Sequence, residues 1–352
     1  MSSILDYLLM HFPNLQNIHP LVIITALGLI AAVMCTGFIF MISLCISWID
    51  RKISVTIQGL VAPSYSCGWD HWLQPIKDGI KLLFKQDIIP VYTDKILFHS
   101  TPLLIFVPIV SVLITIPFSD IFYVINLNIG LFYFLAVMTL SALGLVIAGL
   151  APDNKWSLYG ALREIALIIS YLVPLGLSMI PIIMIAGSLD MQEFIKHQNG
   201  GVQNWLIIKH FPFNFLSFAT YFITSLAILH RNPFKTSEEN SDIVDGVYTE
   251  YSGVRLGLLY VTRHASMFIL SAVSVILFLG GWQSPFSFTT SVPDSIWFLT
   301  KIFFLIVLQL WIHWSLPRLR TDQMLYFFWK VMVPISLINI IGSGILMVVN
   351  EL

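Results

Sequence analysis

The sequence predicts an all-α integral membrane protein with about eight transmembrane helices, cytoplasmic amphipathic helices and loops, and both termini on the non-cytoplasmic side. Two observations predict this fold class. The 352 residues are 57% hydrophobic and only 11% charged, whereas a soluble protein carries about 25% charged residues. Apolar runs also recur at lengths near the roughly 20 residues that a transmembrane helix needs. The net charge of −1 gives no electrostatic reason to expect nucleic-acid binding.

Eight apolar runs define the predicted spans of a single membrane domain, residues 1–352. Pro174 and Pro334 are expected to kink the fourth and eighth spans, because proline removes a helical hydrogen bond. The runs lie near residues 21–48, 97–118, 131–150, 162–187, 211–229, 265–282, 296–316 and 326–349.

The basic residues predict the orientation. Of the 18 lysines and arginines, 15 fall in one alternating set of connections. Cytoplasmic connections are enriched in Lys and Arg, so this set is predicted to face the cytoplasm. The connections are 49–99, 151–163, 230–263 and 317–330.

The segment 49–96 is predicted to be cytoplasmic and interfacial, because it is too long for a simple turn. Its second half is amphipathic. Asp78 is placed to pair with Lys81 one turn on. The pattern predicts a helix that lies in the membrane interface. Its apolar face is Ile76, Ile80, Leu83 and Phe84, and its basic face is Lys77, Lys81 and Lys85.

The segment 230–253 is an acidic island in an apolar chain. Carboxylates cost free energy near lipid unless they are solvated or have a role. A solvated loop is the simplest explanation, but the rigid Asn232-Pro233 turn and the large apolar Phe234 favour an ordered, functional segment. Its acidic residues are Glu238, Glu239, Asp242, Asp245 and Glu250.

Other charges lie at the predicted ends of spans. Arg163 and Glu164 are adjacent, which leaves either a polar path or a local ion pair open. Arg255 and Arg263 are eight residues apart, and they fit either an anionic headgroup site or snorkelling at the interface. The histidines at 230, 264 and 313 are expected at the interface. No residue pattern indicates a redox centre, and the three cysteines lack metal-ligand spacing, so we expect no metal site.

Four stretches resemble one family, the H subunit of bacterial NADH–quinone oxidoreductase, which is the equivalent of mitochondrial complex I subunit 1. Residues 73–90, LQPIKDGIKLLFKQDIIP, are similar to LLQPIADGIKLLFKEDIIP. Residues 154–178 contain NKxxLxGALR, ISY and PLGLS. The island resembles NRxPFDLxExExELVxGxxTEYSG, and residues 311–330 resemble WxRWTLPRxRxDQLMxxxWK. Together they extend from residue 73 to residue 330.

The resemblance implies a membrane subunit that forms the quinone chamber, docks the hydrophilic arm and links quinone reduction to proton movement. Quinone is then the substrate. FMN, NADH and iron–sulfur clusters are on partner subunits, the chain binds no cofactor itself, and the location is the bacterial inner membrane. The quinone-chamber or proton-path candidates are Arg51, Gln58, Asp78, Arg163, Glu164, Arg231, Phe234, Glu238, Asp242, Glu250 and Arg263.

The chain departs from the family pattern mostly at charged positions. Leu172 replaces the glutamate of ISYE, Lys235 replaces an aspartate, Asn240 replaces a glutamate, and Arg263-His264 replaces a Glu-Tyr pair. Glu164 lies about two helical turns from Leu172, and we hypothesise that it takes over a buried carboxylate role.

Three other functions are compatible with this pattern. A structural anchor without proton coupling is favoured by the altered charges, and the retained island carboxylates argue against it. The related subunit of a membrane-bound hydrogenase is the second. A stand-alone transporter is the third, but the paired broken spans of an inverted repeat are not found.

Overall fold

The computed structural model describes residues 20–60, 72–120, 122–235, 246–285 and 292–351, with the side chains of residues 20–24, 350 and 351 left out. Within these ranges the regular elements are helical. They are α1 Pro20–Gln58, α2 Gln74–Phe84, α3 Lys95–Thr115, α4 Gly130–Leu150, α5 Lys155–Ala186, α6 Met191–Lys196, α7 Phe213–Ile228, α8 Gly253–Phe278, α9 Asp294–Ser315, α10 Thr321–Phe327, a π-helix Phe328–Met332, α11 Val333–Glu351 and the short 3₁₀ turns Val202–Asn204 and Gly246–Tyr248.

Seven helical stretches among the described residues are long and apolar enough to cross a membrane. The helix of the fifth predicted span, α7, has only 16 residues. At 1.5 Å per residue it is about 24 Å long, a little less than the roughly 30 Å hydrocarbon layer. The molecule is therefore an all-helical integral membrane protein, as the composition predicts.

Two helices extend well beyond their apolar runs. The first apolar run stops near residue 48, but α1 continues to Gln58 through Asp50-Arg51-Lys52. The sixth run starts near residue 265, but α8 begins at Gly253. These extra turns carry polar side chains past the apolar core at one end of the bundle, where the functional site lies.

The centre of the bundle is α8. Between residues 267 and 278 no side chain is more than 2% exposed. Small residues let the neighbouring helices approach closely, as is common in membranes: a methyl group added at Gly144 of α4 would lie 2.6 Å from the Ile105 side chain of α3.

Prolines lie inside two of the long helical stretches. In α5, Pro174 and Pro181 lie inside a continuous helix. The π-helix Phe328–Met332 lies directly before Pro334. Since proline cannot donate the usual hydrogen bond one turn back, the widened turn accommodates the missing bond.

The bundle has two polar ends. The basic end consists of the described residues of the connections 49–99, 151–163, 230–263 and 317–330 with the helix turns next to them. Contacts such as Arg231–Asp50, Arg255–Asp87 and Leu319 N to Pro233 O join these connections to one another. The opposite end consists of the connections 116–130, 187–212 and 279–293, which are joined by bonds such as Val202 N to Pro285 O.

The amide of Gln198 organises the opposite end. It donates to the carbonyls of Phe194, Ile276 and Leu277, and its oxygen accepts from the backbone N–H groups of Leu206 and Gly280. Lys301 donates to three further carbonyls, at 2.7–3.0 Å, where α8 ends. These bonds satisfy carbonyls that a helix C-terminus leaves without partners.

Candidate functional site

The site begins where α7 ends at the basic end. His230 has a left-handed backbone (φ 50°), and its N–H donates to Ala227 O while Arg231 N donates to Leu226 O. This left-handed cap ends the helix. Both side chains are turned into the protein, at 6% exposure each.

Arg231 meets a carboxylate of the first helix. Its Nη1 lies 3.0 Å from Asp50 Oδ2, and Trp314 Nε1 donates to Asp50 Oδ1 at 2.8 Å. The extension of α1 beyond its apolar run is what brings Asp50 to this position. Because removing either partner would leave a buried charge, the pair fixes three distant parts of the chain together.

The turn after Arg231 is held just as firmly. Asn232 N donates to Nδ1 of His313 at 2.9 Å, and the Asn232 amide donates to His313 O. Arg318 Nε donates to Lys235 O. Phe234 is 5% exposed and packs against Phe327 and Phe328, which confirms that this large aromatic is buried.

Glu164 of α5 contacts the same turn from another side. Its Oε2 lies 3.6 Å from Nδ1 of His230, and the two side chains are 5% and 6% exposed. The ring of Tyr171, two turns along α5, meets the His230 ring edge-on at 6.3 Å. The expected local pairing of Glu164 with Arg163 is therefore not its main contact; a histidine from another helix end takes that place.

A small cavity of about 50 Å³ lies beside this pair, between α3, α4, α5, α7 and α8. Polar groups of Ser141, Tyr171, His230, Thr262 and Arg263 line it together with apolar side chains. A cavity of this size has room for a few water molecules. The arrangement places an imidazole on the cavity wall and a buried carboxylate next to that imidazole.

Arg263 and its neighbour His264 lie on different sides of α8. Arg263 lines the cavity and lies over the ring of Tyr260. Nδ1 of His264 is 3.3 Å from the Ser43 hydroxyl of α1. His264 and His313 both lie within electrostatic range of Asp50 and Arg231. The charged and histidine side chains thus form one connected cluster.

The end of the island forms a second cluster. Glu250 accepts a hydrogen bond from the Asn154 amide at 2.6 Å, and the Tyr251 hydroxyl donates to Ala148 O. Burial raises the pKa of Tyr251 to about 12. A methyl group at Gly160 of α5 would lie 3.0 Å from Val247 N, so this glycine lets the end of the island pack against α5.

Arg255 connects this second cluster to the chain that follows α2. Its guanidinium pairs with Asp87 at 3.1 Å and stacks over the Phe98 ring. The Ser252 hydroxyl accepts from Ile88 N. These contacts fix the chain that follows α2, and they favour a structural role for Arg255.

The amphipathic helix α2 lies where the pattern predicts it. Its residue Asp78 pairs with Arg51 of α1, not with Lys81, and accepts from the Gln74 amide. Ile80, Leu83 and Phe84 are exposed. Gln58 is exposed at the last turn of α1, so the structure does not bring it to the cavity.

The predicted site residues thus fall into separate groups. Arg263 lines the cavity, and Glu164 contacts the cavity residue His230. Arg231 pairs with Asp50, and Phe234 packs against Phe327 and Phe328. Arg51 and Asp78 form a surface pair, and Glu250 belongs to the second cluster. Arg163 is half-buried on α5. Glu238 and Asp242 lie outside the described residues.

Sequence reasoning missed Asp50, His230, Tyr171 and His313. In the sequence Asp50 is only a mild change in a basic motif, and the histidines are only interface residues. One signal was available for His230, since the pattern that the island resembles opens with asparagine at this position.

Chemically, the cluster can hold and exchange protons. Among the described residues, no group of three or more His, Cys, Asp and Glu side chains is placed to hold a metal ion. The ionisable groups instead pair with each other or with backbone groups near a small cavity.

Comparison with known proteins shows which proteins this chain resembles in sequence. The chain is 39% identical over 308 residues to the H subunit of NADH-quinone oxidoreductase from Chlorobaculum tepidum, covering 84% of this chain and 85% of that protein. It is 37% identical over 313 residues to the H subunit from Dehalococcoides mccartyi, covering 89% and 85%. It is 34% identical over 334 residues to an H subunit, numbered 2, from Rhizobium meliloti, covering 92% and 98%.

The sequence model of the NADH dehydrogenase family matches residues 30–344. This range includes every predicted site residue and both clusters. The chain therefore belongs to the NADH dehydrogenase family, as a divergent member related to the H subunits of NADH–quinone oxidoreductase.

Proposed function

We propose that the chain is the membrane subunit of a proton-translocating NADH–quinone oxidoreductase that forms the quinone chamber at the junction with the hydrophilic arm and links quinone reduction to proton movement. The observation that carries this proposal is the buried cluster Asp50–Arg231–His230–Glu164 beside a small cavity. Buried ionisable groups in a membrane protein mark functional sites by default.

The shape of the basic end supports the docking role. Its connections contain most of the lysines and arginines of the chain. Ion pairs and hydrogen bonds join these connections to one another. The names of the relatives, which are subunits of an oxidoreductase complex, support a partner arm on this side. We propose the cytoplasmic face of a bacterial inner membrane for it, with both termini on the other face.

The chemistry on this chain supports a division of labour. The ionisable groups of the site handle protons and bind polar groups, but they do not transfer electrons. In this proposal NADH, FMN and the iron–sulfur clusters are on partner subunits, and quinone is the substrate that reaches the chamber from the bilayer.

Proton coupling is the part of the proposal with the strongest challenge from the sequence. Leu172 packs against the main hydrophobic core and cannot carry a proton. Lys235 is buried, and its backbone carbonyl accepts from Arg318. These two positions favour, as the second candidate, an anchor that has lost coupling.

The test is quinone reduction by the purified complex. Glu250→Gln and Glu238→Gln are expected to lower the rate, because both remove a carboxylate of the island. Glu193→Gln, an exposed residue of α6 at the opposite end, is the matched control and keeps the wild-type rate. Wild-type rates in both island variants would refute the chamber role of the island.

Identifying the subunits of the same preparation distinguishes the proposed oxidoreductase from a membrane-bound hydrogenase. The proposal expects quinone-site and NADH-site partners to copurify with this chain. Hydrogenase subunits in their place, with no quinone reduction, would assign the chain to that complex instead.

A further inference from the structure

We propose that Glu164 and His230 form a proton-transfer pair that exchanges protons with the cavity. The carboxylic acid of Glu164 gives its proton to Nδ1 of His230, so that one O–H bond breaks and one N–H bond forms; no electrons move. The imidazolium then passes a proton from Nε2 to water in the cavity. The inference rests on the proposed function and names the residues that handle the proton.

The geometry of the pair carries this inference. Oε2 and Nδ1 are 3.6 Å apart, and a shift of under about 1 Å brings them to hydrogen-bond distance. Such contacts are often long before the reacting complex forms. Both side chains are almost completely buried, so their charges are hidden from bulk solvent and their proton exchange is restricted to the cavity.

Burial also makes the pair suitable for a proton. An isolated buried charge is costly, but this pair has two states without net charge: both groups neutral, or carboxylate with imidazolium. Moving the proton between them leaves the net charge of the pair unchanged. The change in net charge occurs only when a proton enters or leaves through the cavity.

Several polar side chains lie near the Glu164–His230 pair. From α5 there is Tyr171, and from α8 there is Arg263 on the cavity wall. Tyr248 lines the cavity from the end of the island. Arg231, next in sequence, is paired with Asp50 of α1. Polar and charged side chains from several parts of the chain thus surround the pair.

The two residues also depart from the family pattern together. The pattern opens the island with asparagine where this chain has His230, and it has no acid after GALR where this chain has Glu164. The two positions are 66 residues apart in sequence, yet they are in contact. Leu172 meanwhile lacks the carboxylate of the pattern, so the pair supplies a buried acid two turns away on the same helix.

The experiment measures protons pumped per quinone reduced by the intact complex in proteoliposomes. The variants are Glu164→Gln, His230→Asn and the double variant; asparagine tolerates the left-handed backbone at residue 230. The matched controls at the opposite end are Glu193→Gln, at an exposed position, and Asp190→Asn, which keeps an oxygen able to accept from Gln192 N.

We expect each single variant to lose pumped protons per quinone and the double variant to lose no more than the larger single loss, because the two residues act as one unit. The controls keep the wild-type ratio. A wild-type ratio in either single variant overturns the pair while leaving the proposed function in place. A wild-type complex that reduces quinone without pumping, or reduces none, refutes the proposed function and the pair with it.

Infrared difference spectra of the wild-type complex during turnover keep the inference testable if a variant fails to assemble. The C=O stretching band of a buried carboxylic acid is expected to change during turnover. This band should be absent in Glu164→Gln and shifted in Glu164→Asp. Spectra without any carboxylic acid change overturn the proposal.

Discussion

At the basic end of the bundle, connections are joined by charged side chains, whereas at the opposite end the same task falls mainly to neutral amides. Arg231–Asp50, Arg255–Asp87, Arg51–Asp78 and His230–Glu164 lie at the basic end. Gln198 and the Asn126 amide, which donates to Asp190, join connections at the opposite end.

The difference separates a changeable end from a fixed one. An amide donates and accepts hydrogen bonds in the same way at any physiological pH. A buried carboxylate or imidazole changes its bonding when a proton or a charged ligand arrives. Both ends hold the helices in place, but pairs of ionisable side chains join the connections at the basic end, whereas Lys301 and Asp190 at the opposite end bond to neutral groups. A proton or a charged ligand therefore has more contacts to change at the basic end.

The largest expected effect comes from removing one partner of the buried pair. Arg231→Met removes the guanidinium that pairs with the buried Asp50 carboxylate, and should destabilise the protein by about 3–5 kcal/mol. The measurement is the thermal unfolding of the detergent-solubilised complex, together with the amount that assembles. The comparison predicts that quinone reduction falls as well, because Arg231 directly follows His230, which lines the cavity.

Arg51→Met is the matched control for that variant. It also removes an arginine that pairs with an aspartate at the basic end, but the two side chains are 47% and 40% exposed. Exposed pairs contribute about 0–1 kcal/mol. An equally large loss of stability in both variants would show that burial is not what distinguishes the two pairs.

A smaller effect is expected at the opposite end. Gln198→Leu leaves buried backbone groups of Leu206 and Gly280 without their acceptor, which costs roughly 1–3 kcal/mol. Assembly and unfolding temperature should fall, while the pumped protons per quinone stay at the wild-type value. A changed ratio in the assembled variant would contradict the division into a fixed and a changeable end.

The smallest expected effect concerns Tyr251. Tyr251→Phe removes the hydrogen bond to Ala148 O and should cost about 1 kcal/mol near neutral pH. Burial raises the Tyr251 pKa from 10 to about 12. The buried hydroxyl thus favours folding fully below pH 10, and this contribution is lost as the pH rises through 12.

The check is the unfolding temperature of the two proteins between neutral pH and pH 12. The wild type should lose more stability than Tyr251→Phe above pH 10, since only it has this hydroxyl to ionise on unfolding. Parallel curves would show that Tyr251 ionises equally in the folded and unfolded states.

The sequence was sufficient to predict the bundle because apolarity is a local property. It was less informative about helix ends. Asp50 and Arg255 interrupt apolar runs, yet α1 and α8 continue through them. An apolar run marks the part of the chain that suits the hydrocarbon layer. The helix itself continues beyond that run for as long as its backbone hydrogen bonds and side-chain partners allow.

The site was predicted only in part for a related reason. Arg231, Glu164 and Phe234 were identifiable by charge or size in unusual places. Their partners were not, because His230–Glu164 and Arg231–Asp50 join residues that are far apart in sequence. Local spacing favoured Arg163 for Glu164 and Lys81 for Asp78, and tertiary packing chose other partners.

The position of Asp50 has a consequence for biosynthesis. Arg231 is made 181 residues after it and Trp314 264 residues after it. At roughly 5–20 residues per second, the ribosome takes on the order of tens of seconds to complete that stretch. Until Arg231 has been made the carboxylate can form neither bond, and the bond from Trp314 must wait longer. The contacts that hold the end of the first helix are therefore complete only when nearly the whole chain has been made.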